Sequence, residues 1–279
     1  MIKIANRKLY KRYTGIQPQY FPRLHYFARI LNADVFLIRD DAQFVRKHKY
    51  PDGKTGKSYQ AHTPIKQALN THFFMVPTMH IGIFSLTKTV ISYNESWTET
   101  HLKTLQTVYR KAPNFQKLYP EIEDLLNTSY KYLAELNIAT ILWGILHLLG
   151  EIKVTKDKLS IEFVNNKLKK QNAFRLKNIR NASQSKILVL NNKLTANEKI
   201  IALCKETGAN EDYCGETGVA AYIDKKLFES NGIKITVQDW KCKEYAQLFY
   251  KQQGFIPNLS IIDLLMNVPQ KEAAKIIAG

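Results

Sequence analysis

The sequence predicts an α/β protein with a Rossmann-like strand–helix–strand core at the N-terminus, a mainly helical middle and an α/β C-terminal part. Three observations support this prediction. Residues 15–45 hold two short apolar runs separated by a helical apolar repeat. Residues 96–150 keep apolar residues at helical spacing, and residues 195–237 alternate helix and strand signals. The 279-residue chain is 45% hydrophobic with 12 Gly and 9 Pro, which excludes disordered and fibrous proteins.

The N-terminal unit contains two strands joined by a proline-rich loop and a helix. The first strand ends near Gly15-Ile16-Gln17, and Pro18 and Pro22 impose an extended, turning loop. Apolar residues at helical spacing predict a helix over residues 24–31, and Val35–Ile38 predicts a buried strand. Such a tight unit is usually parallel and right-handed, so both post-strand loops should open at the same sheet edge.

Polar side chains follow both strands. In open α/β sheets, ligands bind at the edge where the strands end. We therefore expect Gln17, Gln19 and the pair Asp40-Asp41 to converge there.

The remaining elements follow from capping patterns, turns and apolar runs. Residues 46–92 are strand-like and broken by turns, and capping boxes at Ser96–Glu99 and Thr195–Glu198 begin two helices. The other expectations are short strands at 159–164 and 187–190, a polar loop at 212–218, a helix at 219–230, a strand at 233–237 and a helix at 261–267. No linker is visible, so we expect a basic N-terminal extension over residues 1–14 and a single domain over residues 15–279.

The charge balance favours an anionic partner. Lys and Arg total 41 against 24 acidic residues, a formal net charge of +17. This excess suits nucleic acid, a nucleotide-linked sugar or anionic lipid headgroups. One basic stretch contains Phe174 and supplies the candidate nucleic-acid or phosphate contacts: Lys167, Lys169, Lys170, Arg175, Lys177 and Arg180. The stretch fits either a phosphate-binding surface or a solvated face.

Several classes of site are excluded by residue type and spacing. Three cysteines without a C-x-x-C pair exclude a disulfide scaffold and a four-cysteine zinc site, and the histidines lack metal-ligand spacing. Pro51–Ser58 lacks the first glycine of a phosphate loop and is better read as a hairpin turn. The longest apolar stretch, Ile138–Leu149, is shorter than the roughly 20 residues of a bilayer span, so we expect a soluble protein. The three cysteines without a C-x-x-C pair fit a reducing cytoplasm best.

The acidic pair is the main catalytic candidate. Asp40 and Asp41 could bind a divalent metal, orient an amine or act as a general base; the alternative is that one of them caps a turn. His25 could transfer protons or contact a phosphate, or could be a half-buried structural histidine. Trp97 and His101 share a helical face that fits either core packing or a ligand.

Segments along most of the chain resemble the WbqC-like family. They are Ile16–Phe27, Ala33–Phe36, Asp40–Phe44, Trp97 with His101–Thr104, Tyr109–Pro113, Gly208-Ala209, Cys214-Gly215, Ala221–Asp224 and Phe255–Leu265. The resemblance covers about residues 15–267. It departs at Arg23-Leu24-His25, where relatives often have Trp-Leu-Gly, and at Cys214 and Glu216.

The resemblance implies a function as well as a fold. Members of the family occur in gene clusters for surface polysaccharides that bear amino-acylated amino sugars, which implies attachment of an acyl or aminoacyl group, such as glycyl, to an amine. The positions that match the family motifs are Gln17, Pro18, Asp40, Asp41, Gln43, Trp97, Tyr222, Asn258, Ser260 and Asp263.

We therefore expect an amide-forming transferase or ligase. Asp40 or Asp41 would deprotonate or orient the amine, and His25 would assist or face a phosphate. The expected substrate contacts are Gln17, Gln19, Tyr20, Gln43, Trp97, His101, Tyr222, Asn258, Ser260 and Asp263. The donor stays open among an acyl adenylate made from ATP with Mg²⁺, a thioester and an aminoacyl-tRNA. The alternative is a non-catalytic module that binds tRNA, DNA or a nucleotide-sugar through the basic surface.

Overall fold

A computed structural model describes residues 10–49, 55–79, 82, 84–191 and 193–279. Residues 1–9 of the predicted extension, the turn predicted at Pro51–Gly53 and His80 lie outside the described residues.

The described residues form strands and helices in mixed order along the chain. In chain order they are β1 (Arg12–Ile16), α1 (Leu24–Leu31), β2 (Val35–Ile38), β3 (Lys47–Lys49), β4 (Thr55–Lys57), β5 (His62–Lys66), β6 (Thr71–Met75), α2 (Trp97–Tyr109), α3 (Phe115–Leu126), α4 (Leu133–Leu148), α5 (Ile161–Lys169), β7 (Asn178–Asn181), α6 (Lys186–Leu190), α7 (Ala196–Glu206), β8 (Glu211–Cys214), α8 (Glu216–Ala221), α9 (Lys225–Ser230), β9 (Lys234–Val237), α10 (Tyr250–Gln253), α11 (Ile261–Asn267) and α12 (Gln270–Ala278).

The main sheet is parallel and has the strand order β7-β2-β1-β8-β9. Numbered by chain position within this sheet, the order is 3-2-1-4-5, which is typical of doubly wound nucleotide-binding folds. The α/β prediction with a Rossmann-like core is thus confirmed. The order reverses between β1 and β8, and this topological switch point is where such sheets open a ligand crevice. Two antiparallel hairpins, β3–β4 and β5–β6, lie outside the sheet.

Hydrophobic residues form two clusters, and the sheet contributes to both. The larger cluster includes Phe27 and Phe36 together with Trp143 of α4. The smaller cluster joins Tyr13 and Leu37 of the sheet to residues of α7 and α9. No helix in the described part of the chain combines the length and hydrophobicity that a membrane crossing needs.

Two short segments predicted as strands are helices. Residues 159–164 fall mostly in α5, where Ser160 accepts a hydrogen bond from the Phe163 amide, and residues 187–190 lie in α6, which Ser185 caps in the same way. A short apolar run fits either element, and the serine caps favour the helix here. The strand in this region is instead β7.

Three other boundaries differ from the predictions. Part of the predicted polar loop at 212–218 is strand β8, and the helix expected over 219–230 is split into α8 and α9. At the N-terminus, β1 begins at Arg12, inside the predicted extension, and the Arg12 amide donates to Asp34 Oδ2 at 2.6 Å.

Candidate functional site

The loops after β1, β2 and β8 start next to one another. Ile16 pairs with Ile38 at the ends of β1 and β2, and the Arg39 amide donates to the Ile16 carbonyl at 2.9 Å. β8 pairs with the other side of β1. The prediction that the loops after the first two strands open at one sheet edge is confirmed. We call the residues that close these strands or follow them, together with Asp212 at the second position of β8, the switch-point edge: Gln17, Arg39–Asp41, Asp212 and Cys214-Gly215.

The two adjacent aspartates have separate partners. Asp40 is buried, and its carboxylate accepts hydrogen bonds from the Ser183 amide (2.8 Å) and hydroxyl (2.6 Å). Burial raises the pKa of Asp40, and the bonds from Ser183 partly offset this effect. Both oxygens of Asp41 accept from Arg39, at 2.8 and 3.0 Å. This bidentate ion pair disfavours Asp41 as the base, because both of its carboxylate oxygens already accept hydrogen bonds from the guanidinium.

No metal site accompanies the aspartates in the described residues. No group of three or more His, Cys, Asp or Glu side chains there could hold a metal ion. Cys214 is no better placed as a nucleophile, because burial raises the pKa of its thiol to about 12 and the reactive thiolate is therefore disfavoured near neutral pH.

A buried glutamine, Gln60, which no sequence pattern indicated, links the two predicted glutamines. Gln60 Nε2 donates to Gln17 Oε1 at 2.7 Å and to the Gln43 carbonyl at 3.2 Å. The Tyr59 hydroxyl donates to the same Gln17 oxygen at 3.1 Å. The loops after β1 and β2 are therefore cross-linked, and the side-chain carbonyl of Gln17 is fully used by the protein.

The switch-point edge contains a third carboxylate, Asp212. Asp212 lies in β8 in register with Tyr13 of β1 and is 3% exposed. Burial raises the pKa of Asp212 to about 7, although the charges of Arg29 and Arg39 act in the opposite direction. A carboxylate that titrates near neutrality can both accept and release a proton, as a general base must.

The phenol of Tyr13 lies beside this carboxylate. Its hydroxyl is buried and has no hydrogen-bond partner among the described residues. The ring lies along the strand over Gly15, where a Cβ would be only 2.2 Å from the Tyr13 oxygen. Burial raises the pKa of Tyr13, and Asp212 adds to this increase, so the phenol stays protonated and can donate a hydrogen bond.

Arg29 connects helix α1 to the ends of β8 and β9. Its Nε donates to Gln238 Oε1 at 2.8 Å, and its guanidinium lies so close to Gly215 that a Cβ there would be 2.5 Å from Nη2. Gln238 Nε2 in turn donates to the His25 carbonyl at 2.9 Å. The absence of a side chain at residue 215 is what lets the guanidinium reach this position.

His25 is held by Asn258. The His25 amide and ring Nδ1 lie 2.9 and 3.0 Å from Asn258 Oδ1. Burial, followed by the charge of Arg29, lowers the pKa of His25 to about 4, so the ring is neutral near pH 7. Asn258 has a φ of 58°, a left-handed conformation that asparagine tolerates better than most residues.

The predicted aromatic contacts form part of the core. Tyr20, Trp97 and His101 are 0%, 5% and 5% exposed. The Tyr20 hydroxyl lies 3.1 Å from His101 Nδ1, and the His101 ring stacks on Phe74 with centroids 4.4 Å apart. These contacts account for the three side chains as packing residues. Gln19 is half-buried, and its carbonyl accepts a hydrogen bond from Thr140.

The C-terminal candidates divide between the surface and the interior. Tyr222 is 54% exposed, and its pKa is raised by burial of the hydroxyl and then by Asp212. Ser260 is buried and caps α11 by accepting from the Ile262 amide. Asp263 is also buried and accepts hydrogen bonds from Tyr109 (2.7 Å) and Tyr245 (2.8 Å). Ser260 and Asp263 therefore have structural partners within the fold.

The predicted basic stretch does not form one row of unpaired cations. Lys167 pairs with Glu151 at 2.6 Å and Arg175 with Asp34 at 2.7 Å. Lys177 donates to the Gln171 carbonyl, and Arg180 to Asn178. Lys169 and Lys170 are exposed at the end of α5.

No sequence pattern indicated a site role for Tyr13, Arg29, Arg39, Gln60 or Asp212. One signal for the strand that contains Asp212 was available: eight residues separate the end of helix α7 from Gly215, a spacing that fits a turn and a short strand between two helices.

Comparisons with known proteins place the chain in a family without adding an activity. The model of the WbqC-like protein family matches residues 17–275. An uncharacterized protein of Mycobacterium tuberculosis is 24% identical over 265 residues, which cover 92% of this chain and 94% of the relative. No solved structure matches the chain significantly. The chain belongs to the WbqC-like protein family.

Proposed function

We propose that the protein is an amide-forming acyl- or aminoacyl-transferase or ligase. It would attach an activated acyl group, for example glycyl, to an acceptor amine on an amino sugar or a modified nucleotide. The observation that supports this best is Asp212, a carboxylate with a pKa of about 7 buried at the topological switch point beside two arginines.

The chemistry requires a base of this kind. A primary amine is protonated near neutral pH and has no lone pair with which to attack. In the proposed step, ionised Asp212 accepts a proton from the ammonium group. Asp212 releases this proton to solvent. The amine nitrogen then forms a bond to the acyl carbon, the bond from that carbon to the leaving group breaks, and the second proton that the nitrogen loses passes by way of Asp212 to the leaving group. Asp212 is regenerated as a carboxylate.

The neighbouring groups fit the charges that develop. Arg29 and Arg39 lie close enough to influence the pKa of Asp212 and would stabilise the carboxylate and the negative acyl oxygen. The Tyr13 hydroxyl, unpartnered in the described structure, would donate to the same substrate oxygen. Asp41 would act by holding Arg39, and Asp40 by ordering the Ser183 turn.

The donor is proposed by class only. An acyl adenylate formed from ATP with Mg²⁺, a thioester and an aminoacyl-tRNA each present an activated carbonyl and a phosphate-bearing leaving group or carrier. Either a nucleotide or a carrier phosphate suits a switch-point crevice in a 3-2-1-4-5 sheet. The likeness to nucleotide-binding sheets lies at the level of the fold.

The experiment combines these donors with amine acceptors and detects the amide by mass spectrometry. Glycine with ATP and Mg²⁺, glycyl-coenzyme A and glycyl-tRNA would each be offered to nucleotide-linked amino sugars and to aminated DNA. We expect one pair to gain a glycyl residue, and Asp212→Asn to lower the rate by about 10²-fold or more. The exposed Asp239→Asn is the matched control and should keep the wild-type rate.

Two outcomes would overturn the proposal. One is a wild-type rate in Asp212→Asn. The other is a protein that forms no amide from any pair but binds tRNA or DNA with an affinity that falls steeply as salt rises. The second result would favour the binding-module alternative, which the net charge of +17 supports.

A further inference from the structure

We propose that the protein binds a phosphate monoester in a second cluster, which consists of Gln17, Arg23, His48, Tyr59 and His62. We call it the histidine cluster. It contains none of the groups assigned to proton transfer and stands whether or not Asp212 is a base.

The first observation is a pair of unsatisfied ring nitrogens. His48 Nε2 and His62 Nδ1 are both inaccessible to solvent and have no hydrogen-bond partner in the described residues. His62 is 6% exposed as a whole residue. Buried polar atoms are nearly always hydrogen-bonded, so two orphaned nitrogens in neighbouring histidines indicate a missing partner.

The second observation is that the cluster adjoins the switch-point edge. The His48 ring stacks on Tyr59 with centroids 3.7 Å apart and planes inclined by 22°. The Tyr59 hydroxyl donates to Gln17 Oε1 at 3.1 Å. Because Gln17 is the residue that follows β1, a ligand held by these histidines would lie beside the loop that begins at the end of β1.

The third observation is the positive surroundings. Burial lowers the pKa of His62 to about 4, and the charges of Arg23, His48 and Lys57 lower it further. A hydrogen bond with the Ser58 backbone acts in the opposite direction. These effects disfavour a metal cation at the cluster and favour an anion.

Phosphate monoester chemistry matches both properties. Its oxygens can accept hydrogen bonds and form an ion pair with Arg23. Its P–OH group, present in the monoanion, can donate a hydrogen bond to a neutral imidazole nitrogen. A carboxylate or a sulfate carries no such hydrogen near neutral pH. The source could be a nucleotide or a sugar phosphate, since the same group is recognised in both.

The test is calorimetric titration of the full-length protein with inorganic phosphate, sulfate, AMP and glucose 1-phosphate near pH 6.5. We expect phosphate to bind and sulfate to bind more weakly, and the two esters will show which source is preferred. His48→Gln and His62→Gln should each weaken phosphate binding about tenfold or more, as expected for a lost hydrogen bond to a charged group.

Two controls separate this site from a general charge effect and from the proposed catalysis. His72→Gln, a half-buried histidine on β6, and Asp212→Asn should both keep wild-type phosphate affinity. If a cluster variant fails to fold, NMR of the wild-type imidazole nitrogens should show phosphate-dependent shifts at His48 and His62. Absence of phosphate binding to the wild type, equal binding by the variants, or imidazole signals that ignore phosphate would overturn the assignment.

Discussion

Replacing Asp212 by asparagine should make the protein more stable at alkaline pH. The side chain is 3% exposed, and burial raises the pKa of its carboxyl from 3.8 to about 7 in the folded protein. The unfolded chain, in which the group is hydrated, keeps the ordinary value. The folded state therefore binds the proton more tightly than the unfolded state does.

This difference in proton affinity sets the sign and the size of the change in the free energy of unfolding with pH. Below pH 3.8 the group is protonated in both states and has no destabilising effect. As pH rises from about 4 to about 7, the unfolded state loses its proton first, and the free energy of unfolding of the wild type falls. Each pKa unit corresponds to about 1.36 kcal/mol, so the rise from 3.8 to about 7 corresponds to a loss on the order of 4 kcal/mol.

The assay is urea unfolding of wild type and Asp212→Asn across pH 4 to 9. An asparagine cannot ionise, so the variant should gain stability relative to the wild type as pH rises, and the gain should level off above about pH 7. Asp239→Asn, at an exposed position, should show no such trend. A difference between Asp212→Asn and wild type that stays constant with pH would refute the reasoning, and with it the physical basis for Asp212 as a base.

Three further substitutions test contacts of single groups. Trp143→Phe removes a hydrogen bond of 3.0 Å from the indole nitrogen to buried Glu121 and should cost about 2 kcal/mol in urea unfolding. Trp97→Phe should cost less, because the Trp97 nitrogen is buried without a partner among the described residues; equal losses would contradict this. Gly215→Ala places a methyl group 2.5 Å from Arg29 Nη2, so the guanidinium must move, and amide formation should slow while the melting temperature changes little. An unchanged rate would show that the position of Arg29 is unimportant.

The elements that could be predicted from the sequence have strong local signals. Val35–Ile38 is a continuous apolar run, as expected for a parallel strand covered on both faces, and all four residues are buried. Helix α1 has buried residues at helical spacing. By contrast, β8 has the sequence Glu-Asp-Tyr-Cys, with two acids and little strand signal. Its pairing with β1, about 200 residues away in the chain, makes it a strand, and local propensity could not reveal that.

The same reason explains which parts of the site were visible. Asp40-Asp41 drew attention because the two acids are adjacent, yet the structure gives one to Ser183 and the other to Arg39, two residues before it. The two acids lie in a turn in which the Ala42 amide donates to the Arg39 carbonyl at 3.2 Å, and their different partners show that adjacency along the chain does not imply a shared function. Asp212 is in register with Tyr13, and burial raises its pKa to about 7 against the opposing charges of Arg29 and Arg39 on other elements. The proposed proton-transfer group is therefore set by strand register, and the parallel order of the sheet indicates such a buried carboxylate better than any short acidic motif does.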